Sequence, residues 1–252
     1  MTEDPARLFD DMLTLSAELF FAREQALLLD EHLQPACSVL DIGCGNGAYL
    51  EAVKRAYPHL RCTGIERDAR VYPFAEARTA PSLRFVHADY KDAAAWTEPF
   101  DVVVARLVAL HLPDFRRFLA WLRGVTHERS AILILDLDDD ATGPLPGGEL
   151  PLFDALFRAS RKPLLVRYAK PPSTALAELA HAEGWRSELL PYRILADEAH
   201  AKRRMYRYME TSTRLLQGGR IEGARKRELD DWLQSERASY SAGMFALTLR
   251  PA

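Results

Sequence analysis

The sequence predicts an α/β fold built on a largely parallel sheet, and three observations carry that reading. Short apolar runs rich in strand formers recur along the chain, amphipathic segments at helical spacing separate them, and the first run ends in glycines at every second position that lead straight into a helix. Strands that are apolar along their whole length are usually buried on both faces of a parallel sheet. A chain of 252 residues, 48% hydrophobic and 27% charged, can bury one large core, so a single domain spanning 1–252 is expected.

Asp4 to Leu33 reads as one or two helices. Asp4-Pro5 supplies an N-cap and a proline at the first helical position, and Leu8, Phe9, Met12, Leu15, Leu19 and Phe20 recur at helical spacing. Phe20, Phe21 and Arg23 are candidates to fold over the glycine turn, with core packing as the alternative. Cys37 to Ile42 is the first strand and Ala48 to Tyr57 a helix that stops at Pro58. Arg61 to Glu66 is a second strand, Ala69 to Ala80 a helix and Leu83 to Ala88 a third strand, the spacing of repeated βαβ units. A short helix near Asp92 to Trp96, a strand from Phe100 to Ala105, a helix opened by Pro113 and a fifth strand from Ala131 to Asp136 follow. Asp138 to Gly148, acidic and then rich in glycine and proline, is expected to be a loop. Beyond it come helices over Leu152 to Arg161 and Ser173 to Glu183, with Gly184 as C-cap, and a sixth strand from Trp185 to Leu195. Two inserted helices, about Asp197 to Gln217 and Ile221 to Ser239, precede a seventh strand from Gly243 to Arg250.

The formal net charge of -3 argues against a generally basic surface, so a nucleic-acid partner is disfavoured. No apolar run approaches the roughly 20 residues that span a bilayer, and the acidic first residues lack the apolar centre of a signal peptide. No membrane association is expected, and a cytoplasmic location is. Three cysteines without a CxxC pair fit a reducing compartment and suggest neither disulfide nor zinc.

The chemistry gathers at strand ends. Gly43, Gly45 and Gly47 form a tight turn that brings backbone amides and a helix N-terminus to a ligand, which points to a nucleoside-type cofactor. Glu66 ends the second strand, 19 positions after Gly47, where an acid can accept both hydroxyls of a ribose. Asp89 follows the third strand, where a carboxylate can accept from an exocyclic amino group such as that of adenine. All of them fall at the carboxyl edge of the sheet, where open α/β folds bind ligands.

These residues resemble the class I S-adenosylmethionine-dependent methyltransferases. Val39 to Leu50, Gly64-Ile65-Glu66-Arg67-Asp68, Ala88-Asp89-Tyr90 and Phe100 to Asp114 match the family's motifs in order and spacing, over roughly Ser38 to Asp136. The resemblance implies a Rossmann-like seven-stranded sheet with an antiparallel last strand, flanked by N-terminal helices over 1–36 and carrying a helical insertion over 197–240 before the last strand. It implies a cofactor-binding core over 37–136, with S-adenosylmethionine as cofactor and S-adenosylhomocysteine as product. Asp41 and Gly43 would lie near the methionine end, Glu66 on the ribose with Arg67 beside it, Asp89 on the adenine and Tyr90 beside the base. Ala105 and Arg106 would border the methionine moiety and the acceptor pocket.

Methyl transfer needs alignment and desolvation more than acid–base chemistry, and a base only where the acceptor must lose a proton. Arg106 and His111 are the polar candidates for catalysis, with structural roles as the alternative for each. Asp136, Asp138, Asp139 and Asp140 invite a metal reading, but a solvated acidic loop fits better and no metal site is predicted. In the insertion, Met205, Tyr206, Tyr208 and Met209 could line an acceptor pocket or simply pack, and the basic run with Arg214, Arg220, Arg225, Lys226 and Arg227 reads as a charged face. The function expected is methyl transfer to an oxygen, nitrogen or carbon of a small-molecule acceptor, with the N-terminal helices and the insertion as a lid. The alternatives are a non-catalytic S-adenosylmethionine-binding module and an RNA or protein methyltransferase, and a homodimer is left open.

Overall fold

The computed structural model describes residues 4–91 and 99–251, so the short helix predicted near Asp92 to Trp96 falls outside the described residues. The strands are β1 (Ser38–Ile42), β2 (Arg61–Glu66), β3 (Leu83–His87), β4 (Phe100–Arg106), β5 (Thr126–Leu137), the two-residue β6 (Gly143–Pro144), β7 (Trp185–Ala196) and β8 (Tyr240–Pro251). They form one sheet in the order β3-β2-β1-β4-β5-β8, with β7 on the far edge of β8 and β6 pairing β8 beyond the end of β5. β1 to β5 run parallel and β8 lies antiparallel between β5 and β7. Setting aside β6, which sits in the predicted acidic loop, this is the expected seven-stranded arrangement with an antiparallel last strand.

Alternation along the strands divides the core between two faces. Val39, Val102, Val104, Leu133 and Leu135 point to one face, while Leu40, Ile42, Val103, Ile132 and Ile134 point to the other. The first face is covered by α1 (Pro5–Glu24), α3 (Ala48–Ala56), α8 (Ala199–Leu216) and α9 (Gly223–Gln234), and the second by α5 (Phe115–Val125) and α7 (Pro172–Ala182). Uniform burial on both sides is why these strands read as continuous apolar runs. A short α2 (Asp30–Leu33), α4 (Tyr72–Glu76) and α6 (Pro151–Leu165) complete the helices named here.

Most element boundaries fall within a few residues of expectation, and the departures have local causes. α1 continues through a π-helical turn, Gln25–Leu29, into α2, so the N-terminal stretch is one unbroken helical rod. α4 is shorter than predicted because the Asp68 carboxylate accepts the Arg70 amide at 2.9 Å and turns the chain before the helix begins. α5 starts two residues beyond Pro113, with Asp114 as N-cap accepting the Arg117 amide at 3.0 Å. α6 runs past the predicted end at Arg161, through Pro163, to Leu165.

Because β1, β2, β3 and β4 are parallel and in register, their carboxyl ends lie side by side, with Ile42 opposite Ile65 and Glu66 opposite His87. No helix among the described residues is long and apolar enough to cross a membrane.

Candidate functional site

A cavity of about 330 Å³ opens at this carboxyl edge. Asp41, Gly43, Gly45, Glu66, Arg67, Asp89, Tyr90, Arg106 and His111 all line it. Two of the predicted positions do not. Gly47 turns away to cap α3 in a left-handed conformation against the Phe85 ring, and Ala105 is fully buried in the core beneath the cavity floor.

The glycine turn is shaped from both sides. Gly43 and Gly45 have φ of +65° and +57°, a region that side chains rarely adopt. A Cβ on Gly43 would meet Val108 at 2.5 Å, and one on Gly45 would meet Leu13 at 2.8 Å. The turn is tied to β2 by Glu66, whose carboxylate accepts the Gly45 amide at 2.9 Å and the Asp68 amide at 2.7 Å. Leu107, at the end of β4, is itself left-handed with φ +56°, held by its amide bonding to Leu135 O at 2.7 Å. That twist carries the chain along the cavity wall through Val108 to His111.

The N-terminal rod lies over the turn. Phe9 and Leu13 line the cavity, and Asn46 Nδ2 donates to Asp10 and to Thr14 Oγ1 at 2.7 and 2.8 Å. The cover therefore comes from residues one to three turns ahead of Phe20 and Phe21. Phe20 is core, and Phe21 stands edge-on to Tyr49.

Arg106 finds its anion inside the protein. Its Nε lies 3.1 Å from both oxygens of Glu24, its guanidinium also reaches Ser16, and it stacks over the Tyr49 and Phe20 rings. Glu24 is 1% exposed and also accepts from the Tyr192 hydroxyl at 3.1 Å. One cluster thus joins α1, α3, β4 and β7. The sequence offered little signal for Glu24 or Tyr192, since each occupies an ordinary position in an amphipathic element.

Several polar groups of the cavity lack partners. Asp41 is 2% exposed and its carboxyl makes no hydrogen bond among the described residues; burial pushes its pKa up to about 8, against the pull of Arg106 and with a further push from Glu66. The Tyr49 and Tyr90 hydroxyls are buried without a hydrogen-bond partner, although Tyr49 lies near Glu24. Tyr90 packs edge-on against Phe118 and Trp121. Asp89 accepts the Lys91 amide at 3.1 Å and stands 3.6 Å from Arg67. His111 is exposed at the rim with no hydrogen bond to its ring among the described residues, and partial burial followed by the charges of Arg161, Arg167 and Arg67 lowers its pKa.

The acidic loop is engaged locally. Asp136 accepts the amides of Leu137 and Leu110, and burial pushes its pKa up to about 6 against the nearby Arg161. Asp138 caps the turn that follows it, and Asp139 takes both arms of Arg161 at 2.8 and 2.9 Å. In the insertion, Met205, Tyr208 and Met209 border a small aromatic-lined void, whereas Tyr206 turns away to Asp230.

A family model described as a methyltransferase domain matches residues 39–128, the stretch that contributes most of this cavity wall. Over this stretch the chain is similar to methyltransferase domains. Among its relatives, an uncharacterised methyltransferase of Mycobacterium bovis is 35% identical over 34% of this chain and 44% of its own length. A trans-aconitate 2-methyltransferase of Deinococcus radiodurans is 30% identical over 40% of this chain and 37% of its own. The chain thus spans less than half the length of these curated relatives. Solved structures share the fold: a phosphoethanolamine N-methyltransferase of Haemonchus contortus, with TM-score 0.59 and 15% identity, covers 95% of this chain and 57% of its own. A plantazolicin methyltransferase bound to S-adenosylhomocysteine, with TM-score 0.53 and 18% identity, covers 99% and 86%.

The residues present suit this family's cofactor. An unbonded buried carboxyl at Asp41 calls for a donor or a cation, Glu66 retains lone pairs towards the cavity, and the orphaned Tyr90 hydroxyl and Asp89 offer polar contacts to a base.

Two outcomes are expected. Glu24→Gln leaves the Arg106 charge buried without its counter-ion and should cost about 3–5 kcal/mol in denaturant unfolding, while Glu24→Leu with Arg106→Met should recover most of the loss. Asp41, largely protonated at pH 7 in the free protein, must ionise to meet a cationic ligand. Binding of S-adenosylmethionine should then release a proton below pH 8, with affinity rising towards pH 8, as calorimetry in buffers of different ionisation enthalpy would read. Asp41→Asn should abolish the release. By the same linkage, a carboxyl raised on folding makes the free protein lose stability as pH rises from about 4 to about 8.

Proposed function

We propose that this chain binds S-adenosylmethionine in the cavity at the carboxyl edge of the sheet and methylates a small-molecule acceptor that enters on the Arg106–His111 side. The observation that carries the reading is the set of unbonded buried polar groups, Asp41, Tyr49 and Tyr90, on the wall of a cavity closed by a glycine turn. When bound, the cofactor supplies a methyl group already activated by its sulfonium.

Every other contribution belongs to the chain. The Glu66 carboxylate, braced by the Gly45 amide, holds the ribose, Asp89 and Tyr90 meet the base, and Asp41 offers negative charge to the methionine end. Arg106, neutralised by Glu24, acts as a rigid part of the wall rather than as a free cation. α1 forms the lid that excludes water, with Phe9 and Leu13 as its inner surface, and the insertion backs it, Arg204 donating to Glu18 O at 3.3 Å. His111, kept neutral at pH 7, takes the proton on an unprotonated ring nitrogen when the acceptor is an O–H or N–H group.

Calorimetry with S-adenosylhomocysteine tests the cofactor assignment. Glu66→Ala and Asp89→Ala should each weaken binding by about 1–3 kcal/mol, and unchanged affinity in both would remove the placement. With an acceptor in hand, His111→Gln should lower kcat and erase an acidic limb lying below pH 6.5, the ordinary histidine value, while cofactor affinity stays the same.

A further inference from the structure

The cavity is electrostatically polarised. Its inner end, at the glycine turn, carries the Glu66 carboxylate and the Asp41 carboxyl, which ionises to meet a cation. Arginines gather around His111, Arg67 and Arg106 on the cavity wall and Arg161 and Arg167 near enough to lower the His111 pKa, and they differ in how their charges are met. Arg106 is closed by Glu24, and Arg161 by Asp139 with Asp136 at 4.0 Å. Arg67, which lines the cavity with His111, stands at a loose 3.6 Å from Asp89 and is largely exposed.

Arg167 is met by no carboxylate among the described residues. In the turn after α6, it donates through Nη1 to Leu112 O at 3.0 Å and through Nη2 to Leu110 O, with the guanidinium near the Tyr168 ring. Those two carbonyls lie on either side of His111. The contacts fix the direction of the guanidinium, but neutral carbonyls leave its charge uncompensated. A cation is therefore anchored directly over the turn that presents His111, whose own ring has no hydrogen-bond partner among the described residues.

We propose that this rim is an acceptor subsite for a carboxylate, so that the methylated small molecule carries a carboxyl group held by Arg167 and Arg67 beside His111. The proposal rests on the reading of the chain as a small-molecule methyltransferase and adds the class of acceptor. An arginine fork matches the two oxygens of a carboxylate. A cavity acidic at one end and basic at the other also sorts its ligands: the cationic cofactor is drawn inward, and an anionic acceptor is stopped at the rim, facing it.

The test uses protein saturated with S-adenosylhomocysteine and three probes, benzoate, citrate and the neutral benzamide, with affinity read by calorimetry and the His111 ring by NMR, assigned through His111→Gln. Benzoate and citrate should bind and raise the titration midpoint of His111, and benzamide should do neither. Arg167→Gln should weaken the carboxylates about tenfold or more, the loss of charge-assisted hydrogen bonds, with partial return in Arg167→Lys and with S-adenosylhomocysteine affinity unchanged. No carboxylate binding, equal binding of benzamide, or carboxylate binding indifferent to Arg167→Gln would overturn the subsite. A protein that fails to bind S-adenosylhomocysteine would instead overturn the cofactor reading beneath it.

Discussion

A buried guanidinium has to find an anion, and Arg106 finds one in Glu24. That pairing determines how the N-terminal rod lies. Arg106 is fixed by β4, so Glu24 brings the end of α1 to the carboxyl edge of the sheet, and Tyr192 ties the same carboxylate to β7. With its C-terminal end held there and its middle held by Asn46 through Asp10 and Thr14, α1 can only lie across the glycine turn. A π-helical turn begins at the residue after Glu24, so the wide turn is placed where the helix is anchored. The cavity owes its cover to this one ion pair and the contacts around it.

The same constraint decides the charge inside the cavity. Burial holds Asp41 back from ionising, the pull of Arg106, itself engaged by Glu24, does not overcome it, and Glu66 adds a smaller push, so Asp41 resists ionisation in the absence of a cation. Positive charge is displaced to the rim, to Arg67 and Arg167 around His111. A protein that keeps an unbonded carboxyl and two unbonded tyrosine hydroxyls in a well-packed wall gives up folding stability there, and such groups are best explained by what binds to them.

The sheet was legible because its determinants are local: apolar runs, the alternating helical segments and the glycine spacing placed all seven long strands, and the parallel order follows from the βαβ spacing. Acids at strand ends were legible for the same reason, since register alone brings Asp41, Glu66 and Asp89 to one edge. What was not legible depends on long-range pairing. Arg106 reads in the sequence as a cation in need of a ligand, and only tertiary contact across more than eighty residues reveals that Glu24 satisfies it. The identity of the cover is a similar case: Phe9, Leu13 and Phe20 share one helical pattern, and only the angle of the rod over the sheet decides which of them meets the cavity. Arg167 carried no motif at all, because its significance lies in the carbonyls it grips on either side of His111.

The claim that most of this rests on is that the space between the glycine turn and α1 is where S-adenosylmethionine sits. Hydrogen exchange of the protein with and without S-adenosylhomocysteine tests it most directly. Protection should rise together at the amides of 43–47, 66–68 and 89–90 and along α1 from Phe9 to Glu24, because the ligand would fill the cavity that these segments enclose. Protection confined to other surfaces, or a glycine turn that exchanges at the same rate in both states, would contradict it.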